Sequence, residues 1–143
     1  MKHKPIPKRI RELVYQKYDG HCAYCGCSIE YKDMQVDHMT SIAHNAHEEA
    51  IANYKQTGKW KWGADDAHNQ DDSLDNLMPA CRQCNFYKQE ADLEGFRSKM
   101  RNWLEKTCRD SFQVQLAIKH GILEYKPWDG KFYFEKLDNH VTE

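Results

Sequence analysis

Two cysteine pairs, Cys22-x-x-Cys25 and Cys81-x-x-Cys84, constrain this chain more than any other feature of its sequence. A CxxC turn presents two sulfurs to one ion, and Zn²⁺ in a structural role prefers a closed tetrahedron of thiolates. The pairs make a complete set of four, so Cys22, Cys25, Cys81 and Cys84 are expected to close one structural zinc site. Residues 26 to 80 lie between them, far more than in a simple zinc ribbon, so the intervening chain has to loop out and return. Cys27 and Cys108 are left over. Cys27 is close enough to compete as a ligand, though both read more simply as small apolar residues.

A metal staple suits this composition. A chain of 143 residues is one domain's worth, and with 30% charged and 40% hydrophobic residues it buries only a modest core. In a reducing compartment, paired cysteines point to metal rather than to disulfides. The opening stretch MKHKPIPKRIREL is basic but holds no apolar run long enough for a signal peptide, and no later segment approaches a membrane span. The expectation is one domain over residues 1–143, soluble and intracellular, with no membrane partner. A net charge of −1 argues against a strongly basic nucleic-acid binder, but the charges are segregated. Residues 1–17 hold six cations against Glu12, and residues 65–75 hold Asp65, Asp66, Asp71, Asp72 and Asp75 with no cation. That pattern gives either a positive face for phosphates or an ordinary solvated surface.

Periodicity supplies a coarse secondary structure. After Pro7, Ile10, Leu13, Val14 and Tyr18 fall at helical spacing, and Asp19-Gly20 ends that helix. Met34, Val36 and His38 alternate with Asp33, Gln35 and Asp37, the period of a strand, which puts Asp37 and His38 on opposite faces at its end. Residues 42–57 read as a helix with Ile42, Ala46, Ala50 and Tyr54 in one stripe, and 58–73 as an irregular acidic loop. Asn76 opens a short apolar run into the second cysteine pair. From Asn85 the chain reads as helix to about Arg109, with Leu93, Phe96, Met100, Trp103 and Leu104 as its buried stripe. Residues 111–120 fit a helix or a strand, with helix favoured. Ile122–Tyr125 and Phe132–Leu137 flank Pro127-Trp128-Asp129-Gly130 and read as a hairpin.

Beside the cysteines stand groups with different chemistry. The Asp37 carboxylate and the Asn85 side-chain carbonyl are hard oxygen donors suited to Mg²⁺ or Mn²⁺, which keep several waters and share a phosphate. A histidine such as His38 can take a proton from water near neutral pH. Together these residues suit single-metal phosphodiester hydrolysis, although an Asp-His pair alone is more often a satisfied surface or core histidine.

The order CxxCG, then VDH at a strand end, then DNL ahead of ACRQCNxxK resembles the HNH (ββα-metal) endonuclease family, in its zinc-stapled form with two knuckles flanking the catalytic hairpin. The resemblance covers Cys22 to Lys88, leaving out an insert from about Ile42 to Ser73. It implies a ββα-metal core within residues 20–90; with the helical insert at about 42–73 and the helical and hairpin extension over 91–143 read from periodicity, the expected fold is α+β. It implies that His38 is the general base, that Asp37 is a metal ligand, and that Asn76 holds the loop so that His38 faces the phosphate. Asn85 takes the place of the family's last letter, commonly His, as the second metal ligand. The metal would stabilise the phosphoryl and leaving 3′ oxygens, leaving a 5′-phosphate. A carbonyl oxygen in place of an imidazole hardens the site and favours Mg²⁺ or Mn²⁺ over Ni²⁺.

The implied partner is DNA, with the state of the protein, monomer or homodimer, left open. Arg82 and Lys88 flank the site as phosphate contacts, followed by the cations of the first helix. In the insert, His44 and His47, three apart on the expected helix, could help grip a metal or a phosphate but read more simply as solvated helix histidines, and His68 is left without a role. Trp60 and Trp62 could stack on bases or pack against the domain. The alternative function is a non-catalytic zinc-stapled nucleic-acid-binding module, which needs only the cysteines and cations. A protein-interaction domain using the acidic loop and aromatic tail is a weaker fit.

Overall fold

In the computed structural model of the chain, the description covers residues 5–40, 42–59 and 71–138, and for residues 42–49 and 138 the backbone alone. Helix α1, Lys8–Lys17, starts after Pro7, whose carbonyl accepts from Arg11 N at 2.9 Å, and buries Val14. Asp19 and Gly20 then take positive φ values of 55° and 76° and turn the chain into the first cysteine pair. That turn closes on itself, Cys22 N donating to Cys27 O at 2.8 Å and Gly26 N to Cys22 O at 2.9 Å. Gly26 has φ 79°, and a Cβ there would lie 2.6 Å from the Tyr133 ring, so only glycine fits.

A 3₁₀ turn over Tyr31–Asp33 leads to strand β1, Gln35–His38, and helix α2 follows at Ile42–Thr57. Strand β2, Leu77–Ala80, returns antiparallel to β1, with Asp37 opposite Met78 and His38 opposite Leu77. All of β2 is buried, which explains why its sequence is a continuous apolar run rather than an alternating one. Pro79 has no N–H to give, but its carbonyl accepts from Ala23 N at 2.8 Å, tying the first cysteine turn to β2. Helix α3, Arg82–Lys88, follows directly, with Cys81 at its N-cap accepting from Cys84 N at 3.4 Å. The fold is thus mixed helix and strand, with a two-stranded sheet among helices.

The long helix expected from Asn85 is broken. Gln89 takes φ 53° and ends α3, and Asp92 caps a new helix, α4 at Leu93–Lys99, by accepting from Gly95 N at 2.7 Å. A π-helical stretch, Met100–Leu104, precedes α5 at Glu105–Asp110. The expected stripe is buried only in its first half: Phe96 is in the core and Leu93 and Met100 pack on it, but Trp103 and Leu104 are 65% and 40% exposed. The wider π turn rotates later residues off the face that α4 buries. Residues 112–119 are helical, as favoured, forming α6 with Ser111 as its N-cap.

The expected terminal hairpin is not there. No strand occurs over the described part of 122–138, and Tyr133–Asp138 is helix α7. The reason lies in the partners that its backbone finds. Phe132 N donates to Glu135 Oε2 at 2.9 Å, while Tyr133 N and Phe134 N donate to Tyr24 O at 3.0 Å and Ala23 O at 2.9 Å. Phe132 stacks on Phe96 with ring centroids 4.9 Å apart, and Tyr24 meets both edge-on. Burial of such a phenylalanine contributes roughly 1.5–3 kcal/mol, so Phe132 and Phe134 anchor the end of the chain on the first cysteine turn.

Candidate functional site around Asp37 and the cysteine quartet

Cys22, Cys25, Cys81 and Cys84 come together with their sulfurs all within 4.8 Å of one another. The Cys25–Cys81 separation of 3.8 Å matches the edge of a tetrahedron with metal–sulfur bonds of about 2.3 Å. The hydrogen bond from Cys84 pulls the Cys22 thiol down to about 4, and the same contact pushes Cys84 up. Thiols this close share protons unless a cation takes all four sulfurs, so the quartet can hold a metal such as zinc. Cys27 lies exposed beside Cys25 but is not one of the four, and Cys108 sits apart, in α5.

The turn that carries the first two cysteines also carries Tyr24, and its hydroxyl donates to Asp37 Oδ2 at 2.5 Å. Lys88, at the end of α3, reaches the same oxygen at 3.1 Å and donates to His38 O at 2.9 Å. Asp37 is 6% exposed and Lys88 fully buried. Burial pushes the Asp37 carboxyl up, opposed by the Lys88 charge and the bonds from Tyr24 and Lys88. Burial and then the nearby carboxylate push the Tyr24 phenol well above its ordinary value, which keeps it a donor. Both of these contacts fall on Oδ2.

His38 ends β1, and its Nε2 is 2.8 Å from Asp72 Oδ1. Asn76 spans the two segments that meet here. Its Oδ1 accepts from Thr40 N at 3.0 Å, and its Nδ2 donates to Thr40 O at 3.2 Å and Asp71 O at 2.8 Å. Its backbone carbonyl accepts from Met39 N at 2.8 Å. One buried side chain therefore fixes the chain just after His38 and the acidic turn beside it.

Comparison with known proteins finds no match to a family model, to a curated protein or to a solved structure.

Asn85 is half-buried in the first turns of α3, bordering a shallow pocket with Gln35, Arg82 and Phe86. Gln35 shares a strand face with Asp37, so α3 lies along the face that carries the carboxylate. No bond joins Asn85 to Asp37. Arg82 is exposed at the pocket's edge. Lys88 corrects the sequence expectation: the cation assigned to phosphate is enclosed, held by Asp37 and His38, and cannot reach a DNA backbone. Two cations of α1 are also internal braces. Arg11 caps Tyr31 O and Met34 O at 2.9 and 2.7 Å, and Lys17 caps Leu74 O and Leu77 O at 2.7 and 3.1 Å. Lys8 and Arg9 stay exposed. Trp60, Trp62 and His68, and the side chains of His44 and His47, lie outside the described residues.

Sequence reasoning missed Tyr24, the inward role of Lys88, and Asp72. A signal for Lys88 was present. It follows Cys84 by four residues and Cys81 by seven, the spacing that puts it on the inward face of the helix the cysteines start. Tyr24 and Asp72 leave no such trace, since their partners are 13 and 34 residues away.

Proposed function

We propose that this protein is a metal-dependent endonuclease of HNH type that hydrolyses DNA phosphodiester bonds by nicking or double-strand cleavage. The observation that carries it is the placement of His38 beside Asp37 at the end of β1, with Asn76 bracing the next residues and α3 packed along the carboxylate's face. The four cysteines hold a structural zinc that fixes where α3 begins. Asp37 and Asn85 are the hard donors for a Mg²⁺ or Mn²⁺ ion that keeps most of its waters. When bound, that ion supplies charge stabilisation to the phosphoryl and leaving oxygens.

The chain's own residues do the rest. His38 takes the proton from the attacking water, and Asn76 keeps the imidazole at the mouth of the site. Lys88 sets both the Asp37 side chain and the His38 carbonyl from one ammonium. Arg82, with Lys8 and Arg9, presents cations to the DNA backbone.

The closed Tyr24–Asp37–Lys88 network favours a second function, a nucleic-acid-binding module without chemistry, because a carboxylate already paired with a lysine competes less well for a metal. Incubation with supercoiled plasmid and Mg²⁺ or Mn²⁺ separates the two. Wild type should nick or linearise the plasmid, and His38→Ala or a chelator should abolish this, a loss of at least about 10²-fold. Equal, intact plasmid from wild type and His38→Ala, with both binding DNA, would establish the binding module. Ni²⁺ as the best activator would contradict the oxygen-ligand assignment.

A further inference from the structure

We propose that Asp72 is a positioning residue that holds His38 in the tautomer with its lone pair on Nδ1, making Nδ1 the atom that accepts the water's proton. This rests on His38 acting as general base, and it adds which nitrogen acts and what selects it. An ionised carboxylate only accepts hydrogen bonds, so the 2.8 Å contact between His38 Nε2 and Asp72 Oδ1 requires the hydrogen on Nε2. In a neutral imidazole the lone pair is then on Nδ1.

The pairing joins an imidazole that is 15% exposed to a carboxylate that is 44% exposed. It is more than a chance surface contact because both sides are braced. Asp71, next to Asp72, has its carbonyl held by Asn76 Nδ2 at 2.8 Å and its carboxylate capping Ser73 N at 3.0 Å. Asn76 N also donates to Ser73 O at 3.0 Å, so the acidic turn is closed on both sides of Asp72. The same Asn76 side chain grips Thr40, two residues after His38. A single amide thus sets the spacing between the imidazole and its carboxylate.

In the step that follows, a water O–H bond breaks, its proton goes to His38 Nδ1, and the oxygen's electron pair forms the bond to phosphorus. The bond from phosphorus to the 3′ oxygen breaks, and that oxygen takes a proton from solvent. Asp72 receives no proton; it keeps its bond to Nε2–H and stabilises the imidazolium.

Long-range proton–nitrogen NMR of the His38 ring, assigned by comparison with His38→Ala, tests this in the zinc-loaded protein without any substrate. In its neutral form the wild-type ring should carry its hydrogen on Nε2 alone. Asp72→Ala should give a mixture of tautomers, and Asp72→Asn should raise the Nδ1–H form, because an amide can turn its NH₂ to Nε2. A wild-type ring protonated on Nδ1, or a spectrum unchanged in Asp72→Ala, would overturn the assignment. In plasmid cleavage, Asp72→Ala should lower kcat about 10- to 100-fold with little change in KM, and Asp72→Glu should recover part of the loss. An unchanged kcat in an active enzyme would also overturn it. A wild type that cuts no DNA would remove the nuclease function and with it the proton transfer to Nδ1, while the tautomer measurement still decides whether Asp72 sets the His38 ring.

Discussion

Two parts of the molecule invert the usual pairing of regular structure with burial. Between Gly20 and Ile29 the chain forms no helix or strand, yet Cys22, Ala23, Tyr24 and Ile29 are buried. From Met100 to Lys119 it is helical almost throughout, yet Trp103, Phe112 and Leu116 are 65%, 79% and 44% exposed. A helix satisfies its own backbone, so it can stand with apolar side chains in water; an irregular turn cannot be buried unless each polar group finds a partner elsewhere. In the first region those partners include Pro79 O of β2 and the backbone N–H groups of Tyr133 and Phe134. The second region is tied down at few points, among them Trp128 N bonded to Glu105 Oε1 at 3.0 Å.

The sharpest way to break this contrast is to remove a sulfur. Cys81→Ser should release the proposed zinc and unfold the domain, because binding free energies of about 10–16 kcal/mol for structural zinc exceed or match the whole stability of most domains. Metal content and far-ultraviolet circular dichroism check it, and a folded, metal-free variant would show that the turn is buried without the ion. Next in size is Lys88→Met, which strands the Asp37 carboxylate away from water and should cost about 3–5 kcal/mol in denaturant unfolding. A loss under about 1 kcal/mol would mean that Asp37 is already neutral in the folded protein, as its burial favours.

A smaller effect is expected where the extension meets the core. Bonds from Arg97 hold the Glu135 carboxyl below its ordinary range. A lowered folded value stabilises the protein above the ordinary glutamate range and is lost as pH falls through it. Glu135→Gln should therefore be less stable than wild type by about 1 kcal/mol at neutral pH, with the gap closing in acid. A gap that widens on acidification would reverse the sign of this coupling. The smallest change is expected in the exposed helices: Phe112→Ser should move stability by no more than about 0.5 kcal/mol. A larger loss would place Phe112 against something that the described residues do not show.

Much of the core could be read before any coordinates. The CxxC pairs call for a quartet, and the alternation of Met34 to His38 calls for a strand; the four sulfurs do meet, and Gln35–His38 is β1. The break at Gln89–Asp92 was legible too, since Asp92 with Gly95 three residues on is a helix start, but the apolar spacing of Leu93, Phe96 and Met100 masked it. The hairpin failed for a different reason. Phe132 and Phe134 alternate as a strand would, yet Phe132 N is taken by the Glu135 side chain, and Tyr133 N and Phe134 N bond to Tyr24 O and Ala23 O, more than a hundred residues earlier.

Features that depend on near neighbours are written into the chain order: the two-cysteine turns, the helix periods and their caps, and the adjacency of Asp37 to His38. Tertiary structure alone decided which cations are braces and which face solvent, and which groups meet the two candidate catalytic side chains. Arg11, Lys17 and Lys88 carry the same charge as Lys8 and Arg9, and only the closing of the fold around them separates the two sets. The physical reason is desolvation: a charge's role is set by what replaces its water, and that replacement comes from distant parts of the chain.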